Sequence, residues 1–224
     1  MEAILGIIFC FFPLLIFLTI LISVFKIKAT KVLLTILVAF VAILPISLLQ
    51  FVILDTQFFS NNSIISVLIK SLIIYGFVEE SLKAATFFLT PSKKLLKIER
   101  SQTPFPNFLL ALLFGLTIGS FESLIYFFDN LAKTINNGGQ LLYGLIFLRA
   151  FSSVIIHTAC MGLSGLFIYS IRQHQPKWSL FIYPIILHGL YDFFACFQNS
   201  LRFFAIPVII LSIGTPSNLQ SSIS

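Results

Sequence analysis

Charge is what this sequence has least of: Asp, Glu, Lys and Arg make up only 10% of its 224 residues, where a soluble domain carries about 25%. With 58% apolar residues, 27 Phe and a mean hydropathy of +1.04, the chain cannot cover a globule with polar surface, which excludes a soluble protein. The same apolar content excludes disorder. Cysteine is scarce as well. Cys10, Cys160 and Cys196 lie within or at the end of apolar runs with no C-x-x-C spacing, so a disulfide-stapled secreted scaffold is excluded and the thiols read as packing residues.

The formal net charge of +6 suggests nucleic-acid binding until its sources are placed. Nine of the 14 cations, Lys26, Lys28, Lys31, Lys93, Lys94, Lys97, Arg100, Arg172 and Lys177, fall in three short links between apolar runs. That distribution is a topology signal, and without aromatic interleaving or a recognisable module it implies no nucleic-acid partner.

A helix needs about 20 apolar residues to cross the hydrocarbon core, and the sequence offers about seven such segments. They are 3–25, 32–54, 64–89, 107–128, 141–171, 179–197 and 203–213, the last being short. The expected fold is therefore all-α, a polytopic membrane protein with a polar core formed by its third to sixth helices. The chain reads as one integral membrane domain, with scaffold helices over 3–54, site-bearing helices over 64–197, a short last helix and a polar tail over 214–224. No basic region precedes the first segment and no A-x-A-like site follows it, so it reads as a retained helix rather than a signal peptide. The links alternate between basic (26–31, 91–105, 172–178) and nearly free of Lys and Arg (55–63, 129–140, 198–202). The positive-inside rule then puts the N-terminus outside and the C-terminus in the cytoplasm, in an arrangement that suits a bacterial cytoplasmic (inner) membrane.

Four of the eight acids, Glu79, Glu80, Glu122 and Asp192, sit inside apolar segments, together with Lys70, Lys83, Arg149, His157 and His188. Each charge near the bilayer centre costs at least about 2.5–3.5 kcal/mol and so needs a partner, a wet cavity or a role. The first two segments have none in their interiors and read as scaffold. In the third segment Lys83 follows Glu79 by four residues and Glu80 by three, within reach of both. On an α-helix the two acids lie about 100° apart, which predicts that Lys83 holds one while the other faces a cavity. In the fourth, Gly115, Gly119 and Ser123 form a small-residue stripe beside Glu122, with Tyr126 one turn on as a hydroxyl donor. The sixth places His188 one turn before Asp192, whose carboxylate can fix one imidazole proton and leave the other nitrogen free.

Two water-activating chemistries fit these groups. Imidazoles and a carboxylate, with His157, His188 and Glu122 as candidate ligands, can hold zinc with an open position while a second Glu serves as base. Alternatively a desolvated Glu deprotonates water directly and the His groups stabilise the oxyanion. There is no H-E-x-x-H, so the common zinc-protease helix is absent.

The motifs Glu79-Glu80-x-x-Lys83, Phe121-Glu122-x-x-x-Tyr126, the His157 helix and His188-x-x-x-Asp192 occur in this order on four consecutive apolar segments. In this the sequence resembles the PrsW family of bacterial intramembrane proteases, which are distantly related to type II CAAX prenyl endopeptidases. The resemblance spans about residues 76–193. It implies a peptidase of the lipid bilayer that cuts a membrane-anchored protein, such as an anti-sigma factor at its extracytoplasmic side, in the first step of regulated proteolysis. It carries Glu79, Glu80, Glu122, His157 and His188 over as catalytic positions, with Lys83, Tyr126, Arg149 and Asp192 in support. Position 84 is Ala where the CAAX branch resembles E-E-x-x-x-R, and position 153 is Ser where its F-x-x-x-H needs Phe, so prenyl-protein processing fits less well. Gly162-Leu163-Ser164-Gly165 matches a rhomboid G-x-S-G, which would pair Ser164 with His188 but leaves three glutamates unexplained. Tyr191-Asp192 matches one presenilin-type motif and lacks its G-x-G-D partner. Outside hydrolases, an ion- or proton-coupled carrier or an inactive relative that binds membrane helices would also use such charges. The oligomeric state is not specified by the sequence.

Overall fold

A computed structural model describes residues 2–54, 63–89, 104–135, 140–197 and 200–220, with side chains described for 4–52, 63–89, 104–128, 151–197 and 200–214. Among these residues all regular secondary structure is helical. Helices α1 (Glu2–Ser23) and α2 (Ala29–Leu54) are followed by a continuous helical segment in three parts. These parts are α3 (Ile64–Lys70), a π-helical stretch (Ser71–Glu79) and α4 (Glu80–Leu89). Then come α5 (Phe105–Ile135), α6 (Gln140–Arg172), α7 (Ser179–Ala195), a 3₁₀ turn (Ser200–Phe204) and α8 (Ala205–Gln220). The chain is a helical membrane protein: α1, α2, α5 and α6 each hold a stretch long and apolar enough to span.

The helices sort by what surrounds them. Of the apolar window in α6, 83% is buried inside the protein, against 22% in α1. The outer helices turn bare Leu, Ile and Phe outward, such as Leu44, Phe51 and Ile210, a surface that only lipid solvates well. At the centre, α5 and α6 lie in close contact because α5 carries no side chain at the crossing. A Cβ at Gly115 would overlap the carbonyl oxygen of His157, and one at Gly119 would stand 2.8 Å from the Cα of Val154. The expected small-residue stripe is thus the α5–α6 seam. A second close crossing joins the π-helical stretch to α7, where a Cβ at Gly189 would lie 2.9 Å from the Cα of Leu72.

Ala39, Ala42 and Ile46 of α2 pack with Ala84 and Phe87 of α4, Phe114 of α5 and Met161 of α6. Ile156, Leu163 and Leu166 of α6 pack with Leu187 and Tyr191 of α7 and Ala205 and Val208 of α8. These two clusters hold α4, α6 and α7 around a common interior.

The structure departs from the sequence expectations in two places. The third segment is not one α-helix: its middle winds with i→i+5 geometry, a form that concentrates at functional sites. The last helix does not stop near residue 213 but runs to Gln220, into the stretch read as tail. Apolar patterning ends there, whereas the helical backbone continues through Gly214 and Pro216.

Candidate active site

Glu79 is the last residue of the π-helical stretch and Glu80 the first of α4, so the change of winding falls between the two acids. Both are buried, and so is Lys83, whose side chain is fully enclosed. Of the expectation that Lys83 holds one acid while the other faces a cavity, the first half is corrected: Lys83 holds both, and Glu79 also lines a cavity. The ammonium lies 2.8 Å from Glu79 Oε1 and 2.8 Å from Glu80 Oε1. Both spacings, i,i+4 and i,i+3, fall within reach of the long Lys stem, which brings both carboxylates to one point.

His157 enters from α6. Its Nδ1 lies 2.6 Å from Lys83 Nζ, 3.5 Å from Glu79 Oε1, and its Nε2 is bonded to Glu122 Oε2. An ammonium has only protons to give, so Nδ1 accepts, and the neutral ring carries its proton on Nε2 toward Glu122. Ser153, one turn back on α6, also donates to Glu122 Oε2, at 3.1 Å. The residue that breaks the CAAX-type pattern therefore anchors the acid that orients His157.

His188 enters from α7, with its ring 4.7 Å from that of His157 and set edge to face. Its Nε2 is 3.1 Å from Asp192 Oδ2, the helical pairing expected from their spacing, and 4.0 Å from Glu79 Oε1. Its Nδ1 is 2.7 Å from Glu80 Oε1 yet makes no hydrogen bond, and Glu80 Oε2 is also buried without a partner.

The site has two layers. Glu80, Lys83, His157 and His188 form an inner one with almost no exposure. Glu79, Glu122 and Asp192 face outward into a cavity of about 190 Å³, walled also by Ile43, Ile46, Ser47 and Gln50 of α2, Tyr75, Ile118, Ile125 and Cys196. That volume holds several waters.

Gln50 went unpredicted. Its Nε2 donates to Glu79 Oε2 at 2.7 Å, so α2 is not the bare scaffold the charge pattern suggested. A search for charges passes over an amide; the signal was a lone Gln in a 26-residue apolar helix. Of the remaining expected residues, Tyr126 is half-buried one turn beyond Glu122 on α5, and the side chain of Arg149 lies outside the described residues. Ser164 is buried about two turns along α6 from His157, and its hydroxyl has no hydrogen-bond partner. The cysteines form no disulfide; Cys10 and Cys160 are buried and Cys196 is exposed.

Glu79, Glu80, His157 and His188 each offer one ligand atom, all within 4.8 Å of one another, a set that could hold a metal ion. Two imidazoles and two carboxylates suit a divalent ion of borderline softness, and the unpartnered His188 Nδ1 beside a carboxylate is the kind of atom a cation satisfies. Glu122 is not in this set of four; it reaches the set through His157.

No curated protein and no solved structure shows significant similarity to this chain. Residues 4–214, nearly the whole of it, match the PrsW family of intramembrane metalloproteases. Together with four carboxylates, two imidazoles and a buried ammonium gathered inside a helical membrane protein, that match shows that the chain belongs to the PrsW family of intramembrane metalloproteases.

Proposed function

We propose that this chain hydrolyses a peptide bond of a membrane-anchored protein, using water in the cavity between α2, α5 and α7. The observation that carries this reading is the division of labour between the adjacent acids. Glu79 lines the cavity, whereas Glu80 is sealed behind it against Lys83. Glu79 takes a proton from water as the oxygen attacks the scissile carbonyl, then returns it to the departing amine as the C–N bond breaks. His157 and His188 stand behind it and hold the acid pair and Lys83 in place, His157 oriented by Glu122 and His188 by Asp192. Lys83 and Glu80 fix the position of Glu79. Zinc held by Glu79, Glu80, His157 and His188 would supply a bound water of lowered pKa.

The cavity lies toward the C-terminal ends of α2, α5 and α7, which carry Gln50, Ile125 and Cys196. Those ends lead into the three links poor in Lys and Arg, which face away from the cytoplasm when the N-terminus is outside. The substrate is therefore read as a protein anchored in the bacterial cytoplasmic membrane and cut near its extracytoplasmic face, a description that an anti-sigma factor fits. The test is to reconstitute the chain in vesicles with single-span reporter proteins and to map the new termini by mass spectrometry. Cleavage near the extracytoplasmic end, absent with Glu79→Gln at equal folded protein, is the expected outcome. Cuts on the cytoplasmic side, or cleavage that survives Glu79→Gln, would overturn it.

A further inference from the structure

We infer that Lys83 is the resident cation of this site and sets its metal affinity, because its ammonium occupies the donors a metal ion would need. Three of the four prospective ligand residues already turn a donor atom to it: Glu79 Oε1 at 2.8 Å, Glu80 Oε1 at 2.8 Å and His157 Nδ1 at 2.6 Å. A zinc ion bonded to those same atoms at about 2.0–2.2 Å would lie about 3 Å or less from Nζ, on either side of the plane they define. Two cations cannot share that space in a low-dielectric interior.

Nor can Lys83 step aside at little cost. Its side chain is fully buried, among the largest such side chains in the protein, and it issues from α4 one turn from the acids it holds. Moving the ammonium away strips it of two carboxylates and an imidazole without offering water in exchange, and a buried charge deprived of its partners is strongly disfavoured. Metal and Lys83 are therefore alternatives. In the arrangement seen here Lys83 neutralises the acid pair and holds Glu79 toward the cavity; metal enters only as far as Lys83 is displaced.

This inference concerns the site assigned above but rests on its geometry alone, and a metal titration is blind to whether the chain cleaves anything. The experiment is a zinc titration of the detergent-purified full chain, wild type beside Lys83→Met, followed by calorimetry and by metal content after dialysis. Lys83→Met keeps the length of the side chain and removes the charge, and zinc affinity is expected to rise by at least about 100-fold. Because this variant leaves two carboxylates uncompensated, the charge-balanced Lys83→Met/Glu80→Gln is measured as well. It keeps Glu79, His157 and His188, one carboxylate and two imidazoles, and is expected to bind zinc more tightly than wild type. Wild type that retains stoichiometric zinc through dialysis would overturn the inference. So would variants that bind zinc no better than wild type, or that lose a zinc the wild type holds.

Discussion

The α5–α6 seam makes the sharpest structural prediction, because the backbone it brings close is that of His157. In Gly115→Ala the added methyl would overlap the carbonyl oxygen of His157 and lie 2.7 Å from the Cβ of Met161. Neither atom can rotate away, so α6 must retreat by roughly 1 Å, carrying His157 from Lys83 and Glu122; a shift of that size costs on the order of 100-fold in rate. Overpacking adds about 1–3 kcal/mol of destabilisation, partly offset by up to about 1 kcal/mol from the better helix propensity of Ala. Gly162→Ala, at the same helix pair, is the control. There the methyl meets Leu112 Cδ2 at 2.8 Å and Phe108 Cε2 at 3.0 Å, side-chain ends rather than backbone. Its effect on stability should stay within about 0.5 kcal/mol and its activity near wild type. Reporter cleavage and loss of helical circular dichroism during SDS titration measure the two quantities. Gly115→Ala that cleaves as fast as Gly162→Ala would refute the claim that this crossing sets the position of His157.

Three further outcomes are expected. Gln50→Leu removes the donor to Glu79 Oε2, a charge-assisted bond of about 1.5–3 kcal/mol; kcat should fall roughly tenfold or more with KM little changed, as steady-state kinetics will report. Asp192→Asn, which loosens the hold on His188 Nε2, should lower kcat/KM by about 10- to 100-fold while the thermal melt stays close to wild type. Cys196, exposed in the cavity wall while Cys10 and Cys160 are buried, should react with a membrane-impermeant maleimide added to the extracytoplasmic side of oriented vesicles. Labelling only from the opposite side would reverse the proposed orientation.

Much of the architecture was legible because the bilayer is a severe solvent. Long apolar runs, charges confined to short links and a Gly115/Gly119 stripe leave few alternatives to packed helices. The gathering of Glu79, Glu80, Glu122, His157, His188 and Asp192 was legible for the same reason, since each is too costly to leave facing lipid. What escaped the sequence was local and geometric. The π-helical winding before Glu80 leaves no mark in an apolar pattern, and that one ammonium takes both acids rather than one is a matter of side-chain geometry. Gln50 carries no charge, so a count of charges placed α2 among the scaffold although it holds Glu79. Ser153 read as a departure from a motif, and its hydroxyl on Glu122 shows the position serving the site in another way. The end of α8 was lost because the helical backbone continues past the apolar residues that announce it.

Proposed cleavage depends on Glu79, and the most direct measurement sets it against the nucleophile that the rhomboid-like match would nominate. Initial rates of reporter cleavage are recorded for wild type, Glu79→Gln and Ser164→Ala, reconstituted at equal folded concentration. Loss of activity to background in Glu79→Gln, with Ser164→Ala cleaving at a rate close to wild type, is the predicted result. An active Glu79→Gln beside a silent Ser164→Ala would contradict it and move the chemistry to the serine.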